Sequence, residues 1–313
     1  MNLSFIAYCF INIIFAALVS PFFMGIVKKV KALAQGRMGP PLMQQYYNLL
    51  KLFRKEALYS TDSSWVTRVA PYVNITVIAT AALCVPLVFI PEAAYGISNV
   101  IVFLYLLATA RFFMALSGLD AGSAFGGMGS SREMSISSVI EPVTIVVFAA
   151  LAFIFNTLNL HEMFRESAGQ VHLFDPSLVL ISIPLFIVLI VETARIPVDN
   201  PETHLELTMI HEAMMIEYSG RDLALMDLSH AMKQTLLMAV LINIIFPWGI
   251  ATEMGVAGII SAAAGFLLKG AALSAFIGLF ESSLAKMRFF LVPNLIMIAF
   301  FLSALAILLE VFR

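Results

Sequence analysis

Residues 178–220 read LVLISIPLFIVLIVETARIPVDNPETHLELTMIHEAMMIEYSG. The run Leu178 to Ala194 holds one ionisable side chain, Glu192; behind it five carboxylates (Asp199, Glu202, Glu206, Glu212, Glu217) stand against one cation, Arg195. An apolar run of this length is too long for a core strand and long enough to cross roughly 30 Å of hydrocarbon as a helix. Acid concentrated at its exit therefore belongs at a membrane surface or in a crevice that reaches it.

The rest of the chain repeats the first half of this pattern. Hydrophobic residues make up 61% of the sequence and charged residues 12%, with mean hydropathy +0.95, against the roughly 45–50% apolar content of soluble domains. Apolar windows run from Asn2 to Val27, Ala70 to Ile90, Ile97 to Ser117, Ser135 to Asn156, Leu178 to Ala194, Gln234 to Ile250, Val256 to Leu279 and Leu291 to Leu309. The first has no basic residues before it and no small-residue cleavage pattern after it, so it reads as a retained span. In lipid only helices and closed barrels satisfy the backbone, and the lack of alternation with period two excludes the barrel. The expected fold is an all-α polytopic membrane bundle of about eight spans, with residues 1–313 forming one membrane domain.

Lys and Arg are distributed unevenly. Lys28, Lys29, Lys31, Arg37, Lys51, Arg54, Lys55 and Arg68 follow the first span, and Arg132, Arg195, Arg221, Lys233, Lys286 and Arg288 fall in later connections on the same side. The other side carries Arg165 and Arg313. By the positive-inside rule the basic connections face the cytoplasm and both termini lie outside.

Between the spans, residues 38–57 pattern as an amphipathic interfacial helix: after Pro40 and Pro41, apolar Leu42, Tyr46, Leu49, Leu50 and Phe53 recur at helical spacing. Such a helix either anchors at the lipid surface or also frames the mouth of an internal cavity. Residues 195–232 form an acidic cytoplasmic connection, in which Asn200-Pro201-Glu202 is a helix-start signature. His204 and His211 are seven apart; without H-x-x-x-H spacing they do not point to a metal. The glycines at 126, 127 and 129 read as a flexible turn.

Several classes of chemistry are excluded. Cys9 and Cys84 are the only cysteines and both fall in spans, which removes iron–sulfur and zinc sites from this chain. No phosphate-binding glycine loop is present. Ionisable residues within spans are the positive signal, because each costs on the order of 2.5–3.5 kcal/mol at the bilayer centre even on the lenient scale. Arg111 and Glu192 lie near inner ends, where long side chains can snorkel. Glu141 and Lys269 lie deeper, and buried carboxylates of this kind serve either structural pairing or a proton relay.

These features, in their order, resemble the complex I subunit that joins the membrane arm to the hydrophilic arm. The carriers are Arg37-Met38-Gly39-Pro40 with Gln45, Lys51 and Glu56; Ala110-Arg111-Phe112-Phe113 through Gly118-Leu119-Asp120; and Gly129-Ser130-Ser131-Arg132-Glu133. Glu141-Pro142, Glu192 through Pro197-Val198-Asp199, Glu217-Tyr218-Ser219-Gly220, and Lys269 with the Glu281 to Arg288 segment complete the set. The resemblance covers essentially the whole chain. Within the family, Glu281-Ser282-Ser283-Leu284-Ala285-Lys286, Ser131-Arg132-Glu133 and Gly118-Leu119-Asp120-Ala121-Gly122-Ser123 look like the anchors of membrane-bound [NiFe] hydrogenases and formate hydrogenlyases rather than quinone-reducing members. The stretch containing Thr208-Met209-Ile210-His211-Glu212 is similar to archaeal-type membrane-bound hydrogenases, whose relatives include a sulfur-reducing complex.

The resemblance implies a prokaryotic cytoplasmic-membrane subunit that couples electron transfer to proton or sodium movement. It implies no catalytic residue, metal or cofactor in this chain; a [NiFe] centre and iron–sulfur clusters would lie in large- and small-subunit-like partners, beside antiporter-like membrane subunits and lipid, with no nucleic acid. Glu141, Glu192, Glu212 and Glu217, with Asp199, Glu202 and Glu206 at the mouth, form the implied ion path, tuned by Arg111 and Lys269. Arg37, Gln45, Lys51, Arg132 and Glu133 form the implied partner interface. A quinone-site subunit of a complex I-like oxidoreductase and a stand-alone secondary transporter are the alternatives, and the absence of internal repeats weighs against the second.

Overall fold

The computed structural model describes residues 3–91, 98–169, 175–200, 209–251 and 255–312. Among these, eleven α-helices are present: α1 (Leu3–Ala34), α2 (Gln44–Phe53), α3 (Trp65–Cys84), α4 (Val100–Asp120), α5 (Ala124–Phe155), α6 (Leu160–Gly169), α7 (Pro176–Glu192), α8 (His211–Met215), α9 (Gly220–Ile245), α10 (Val256–Ser283) and α11 (Val292–Val311). Seven of them are long and apolar enough to span a bilayer, and the 17-residue α7 is an eighth, shorter apolar helix. The chain is an all-α polytopic membrane protein.

Helix ends depart from the apolar windows for identifiable reasons. The second window predicts helix to Ile90, yet α3 stops at Cys84, because Val85 precedes Pro86 and takes extended dihedrals. α9 likewise stops at Ile245, one residue before the Phe246-Pro247 pair. The irregular backbone released at these ends is satisfied inside the protein. Asn12 of α1 donates to the Val85 carbonyl (2.9 Å) and accepts from the Leu87 amide (3.0 Å), while Asn243 donates to the Pro86 carbonyl at 3.0 Å. A two-residue bridge then pairs the segments, with Ile90 N–H to Ala251 O and Ala251 N–H to Val88 O, each 3.0 Å. Non-helical backbone survives in a membrane protein only where such partners replace water.

The largest correction concerns α9. Charge placed residues up to 232 in a surface connection, but the helix begins at Gly220 and is the most buried of the spans. It packs against α1, α3 and α7, whereas α10 is largely exposed. Its entry needs glycine: Gly220 has φ +53, and a β-carbon there would collide with the Glu56 carbonyl. Gly126, Gly127 and Gly129 belong to helix α5, not to a turn. At Gly129 a β-carbon would lie 2.9 Å from both Ile210 O and Ala213 Cβ, so its absence lets α8 dock on α5.

The amphipathic helix is shorter than its pattern, covering Gln44–Phe53 with no buried residue, and it lies against α1 and α9. The helix expected from Pro201 falls in 201–208, outside the described residues, as do Glu202, His204 and Glu206. α6 has no counterpart among the apolar windows; ten residues are too short to cross a bilayer.

Two residues beyond the end of α7, Ala194 is a buried alanine in the left-handed region at φ +46 that turns Arg195 back toward the bundle. L-residues other than glycine hold that conformation at a cost of roughly 1–2 kcal/mol. Ala194→Gly is expected to raise the thermal stability of the detergent-solubilised protein by about 1 kcal/mol; an unchanged or lowered melting temperature would show that the alanine is unstrained.

Candidate functional site

α4, α5, α7 and α9 converge on one buried cation. Arg111 of α4 contacts three carboxylates: Glu192 at the end of α7 in a short ion pair, Glu141 of α5 at 2.9 Å and Glu133 of α5 at 3.6 Å. Glu192 is paired a second time by Lys233 of α9 at 2.8 Å. Ser137 donates to Glu141 at 2.7 Å and accepts from Arg111. Arg111 and Glu192 thus do not snorkel to the surface; they neutralise each other in the interior. The cluster holds three carboxylates against two cations, so a proton arriving on one carboxylate would balance its charge.

Two cavities adjoin the cluster and a third lies beyond His211 and His230. A small one, of about 30 Å³, is bounded by Arg111, Glu133, Glu192 and Lys233 and has room for one or two waters. On one side lies a mostly apolar opening of about 260 Å³ between α4 and α5, lined by Leu104, Tyr105, Leu107, Thr144 and Ile145, with Arg111, Glu141 and Glu192 at its floor. The Glu141 side chain, which lines this opening, is 46% exposed. On the other side a crevice of about 230 Å³ opens at the basic end of the bundle. Lys28, Arg195, Asp199, Glu212 and Asp227 line it, and Gln45, Asn48 and Leu49 of α2 close its mouth.

Two further sets of contacts hold the crevice. Asp199 is buried, accepts the Ile210 and His211 amides at 2.9 and 3.2 Å, and pairs with Lys286 at 2.7 Å. It thereby ties the connection after α7 to the start of α8 and to the α10–α11 connection. Arg195 pairs with Glu281 at 3.1 Å, and Glu281 pairs with Lys31 at 3.3 Å, all three buried.

The implied site residues separate into groups. Arg111, Glu141 and Glu192 come together, and Glu133, expected at a partner surface, joins them. Asp199 and Glu212 line the crevice, whereas Glu217 is exposed. Lys269 stands apart from the cluster. Its ammonium donates to the Phe246 and Trp248 carbonyls at 3.0 and 2.7 Å, capping the C-terminal end of α9. Arg37 and Lys51 are exposed, Gln45 sits at the crevice mouth, and Arg132 donates to the Met209 carbonyl at 3.0 Å. Sequence reasoning misses Lys233, Asp227, His211, His230, Lys31 and Glu281 as site residues. The signal for three of them is available: Asp227, His230 and Lys233 recur every third residue, a face that becomes visible once the helix starts at Gly220.

With this geometry in view, comparison with known proteins is decisive. The NADH dehydrogenase family profile matches residues 6–312. The chain belongs to the NADH dehydrogenase family. Among curated members, "Hydrogenase-4 component C" of Escherichia coli (strain K12) is 32% identical over 289 residues, covering 92% of this chain and 90% of that protein. "Formate hydrogenlyase subunit 4" of the same organism is 30% identical over 295 residues, covering 92% and 93%. A subunit of the NADH-quinone oxidoreductase of Wolbachia pipientis wMel is 26% identical over 217 residues, covering 63% of each chain. A chain in the solved structure of the membrane-bound sulfane sulfur reductase, an archaeal respiratory membrane complex, superposes with TM-score 0.79 at 20% identity, covering 98% of this chain and 99% of that one. That likeness establishes the shared fold of this family member.

Two neighbouring groups in the crevice titrate in opposite senses. Burial, aided by the Asp227 charge, lifts Glu212 from 4.5 to about 7, and burial, aided by Lys233, lowers His211 from 6.5 to about 4. Between pH 4.5 and 7 the folded chain keeps a Glu212 proton that the unfolded chain releases, so this group makes stability fall as pH rises. Between pH 4 and 6.5 the unfolded His211 binds a proton that the folded ring refuses, so stability rises with pH. The two effects oppose each other in one window. Glu212→Gln is expected to leave a melting temperature that climbs from pH 4.5 to 6.5, and His211→Gln one that declines relative to it; parallel pH profiles in the two variants would contradict this assignment.

Proposed function

We propose that the chain is the membrane anchor and coupling subunit of an energy-converting hydrogenase complex. It links electron transfer in a cytoplasmic [NiFe] and iron–sulfur module to translocation of protons or sodium. The observation that carries this proposal is the row of cavities that runs from a crevice at the basic end, past Arg111, Glu192 and Lys233, to the opening beside Glu141. A fixed structural ion pair would need neither the crevice nor the surplus carboxylate. Paired groups of this kind, buried beside cavities large enough for water, suit a path along which charge is handed on.

The electron-carrying groups belong to partners in this account. Among the described residues no set of three or more His, Cys, Asp or Glu side chains is placed to hold a metal ion. The partner module would dock at the basic end, where Arg37 and Lys51 are exposed around α2, and antiporter-like subunits would continue the path within the membrane. Similarity to hydrogenase-4 component C and formate hydrogenlyase subunit 4 over nine-tenths of the chain supports the hydrogenase branch.

Gentle detergent extraction, mass spectrometry of the co-purifying chains and nickel analysis test the assignment. The expected result is a nickel-bearing large subunit with iron–sulfur partners. A nickel-free complex that reduces a quinone analogue would overturn it.

A further inference from the structure

The crevice and the small cavity at the ion cluster meet at a single partition. His211 of α8 and His230 of α9 line both cavities, and Ala194 is the one further residue common to the two. The imidazole rings are in contact, with centroids 4.1 Å apart and planes inclined by 43°. Nε2 of His211 is buried without a hydrogen-bond partner. An apolar pair would fill this partition without the cost of an unpaired buried nitrogen, on the order of 1–3 kcal/mol. Packing alone therefore does not account for two imidazoles here.

We infer that the His211–His230 pair is the proton-transfer step between the crevice and the Arg111–Glu192 cluster. This rests on the ion path proposed above and assigns the proton as the ion that enters this chain. Imidazole accepts a proton on one ring nitrogen and releases one from the other, so a ring that faces both cavities can carry a proton between them. His211 takes a proton from a hydronium ion in the crevice, beside Glu212 and Asp227, and leaves a neutral water there. A turn of the rings out of their tilted contact first brings one nitrogen of each together; His211 then passes a proton to His230, which delivers one to water in the 30 Å³ cavity, where Glu133 or Glu192 accepts it. One proton crosses, both rings end neutral, and only N–H and O–H bonds are made or broken. A sodium ion has no counterpart of this step, because rings in contact leave no coordination shell between them.

The surroundings permit one charge at a time. Lys28 of α1, Arg195 of the connection after α7 and Lys233 of α9 bear on the pair, as do the acidic side chains of Asp199, Glu212 and Asp227. A second cation at ring-contact distance would meet both its neighbour and these cations. The pair thus passes single protons and returns to neutrality between transfers.

The test uses the complete complex in sealed vesicles, driven by reduced methyl viologen, with proton uptake read by a pH-sensitive dye against hydrogen evolved. His211→Gln and His230→Gln are each expected to lower proton uptake about tenfold or more, with partial restoration by added imidazole. Glu192→Gln is expected to lower uptake without such restoration. Normal uptake in both histidine variants while Glu192→Gln is impaired would overturn this inference and leave the carboxylate path standing. Normal uptake in all three would remove the path itself. A loss in the histidine variants that imidazole does not restore would assign them a packing role and also overturn the inference. Should either variant fail to assemble, redox-triggered infrared difference spectra of the unaltered complex with labelled histidine decide the matter: imidazolium bands are expected on turnover, and their absence overturns the step.

Discussion

The structure depends on one guanidinium placed where lipid surrounds the protein. Arg111 costs several kilocalories per mole to bury, and only carboxylates delivered from other helices can offset that. Glu133 and Glu141 of α5, Glu192 of α7 and, through Glu192, Lys233 of α9 supply the compensation. Four helices that share one apolar core are thereby also held in register by charge, a sharper discriminator than apolar contact between helices already dissolved in hydrocarbon. The Lys31–Glu281–Arg195 triad does the same for α1, α10 and the connection after α7. Truncating one partner of such a cluster typically costs about 3–5 kcal/mol, because it strands the others.

Electrostatic fastening also provides a chemical opportunity. Three carboxylates against two cations leave the cluster one proton short of neutrality, and the cavities on either side supply routes by which that proton could come and go. α2 closes one end and the connection held by Asp199 forms the wall. A displacement of that wall by a docked partner would alter access to the cluster directly. The coupling element and the structural fastening are then the same residues.

The bundle was legible in the sequence wherever apolar length alone decided it: the existence of every span, and the exceptional status of Arg111, Glu141 and Glu192, followed from hydrophobic windows and the cost of charge within them. What was not legible was any helix whose polar residues are satisfied by other parts of the protein. α9 carries Asp222, Asp227, His230 and Lys233 in its first half and so reads as surface chain, though Asp222 is bonded by Tyr59 and Lys233 by Glu192. Pairings between distant segments, such as Lys31 with Glu281 or Asp199 with Lys286, leave no trace in local periodicity. Lys269 stands out in the sequence for its depth, yet its position in the fold is that of a helix cap, and depth along one helix says nothing about what lies beside it. Membership of the NADH dehydrogenase family fixes the fold, whereas the chemistry follows from how these charges are grouped.

The central claim, that ions traverse the cluster rather than merely being balanced within it, is tested most directly at Glu141, whose carboxylate pairs with Arg111 yet opens onto the lateral cavity. The measurement is proton uptake per hydrogen evolved by the vesicle-embedded complex carrying Glu141→Gln, which preserves the side chain's shape and removes its charge. The account predicts a complex that assembles normally but has lost most of its proton uptake; normal assembly with unchanged uptake would contradict it.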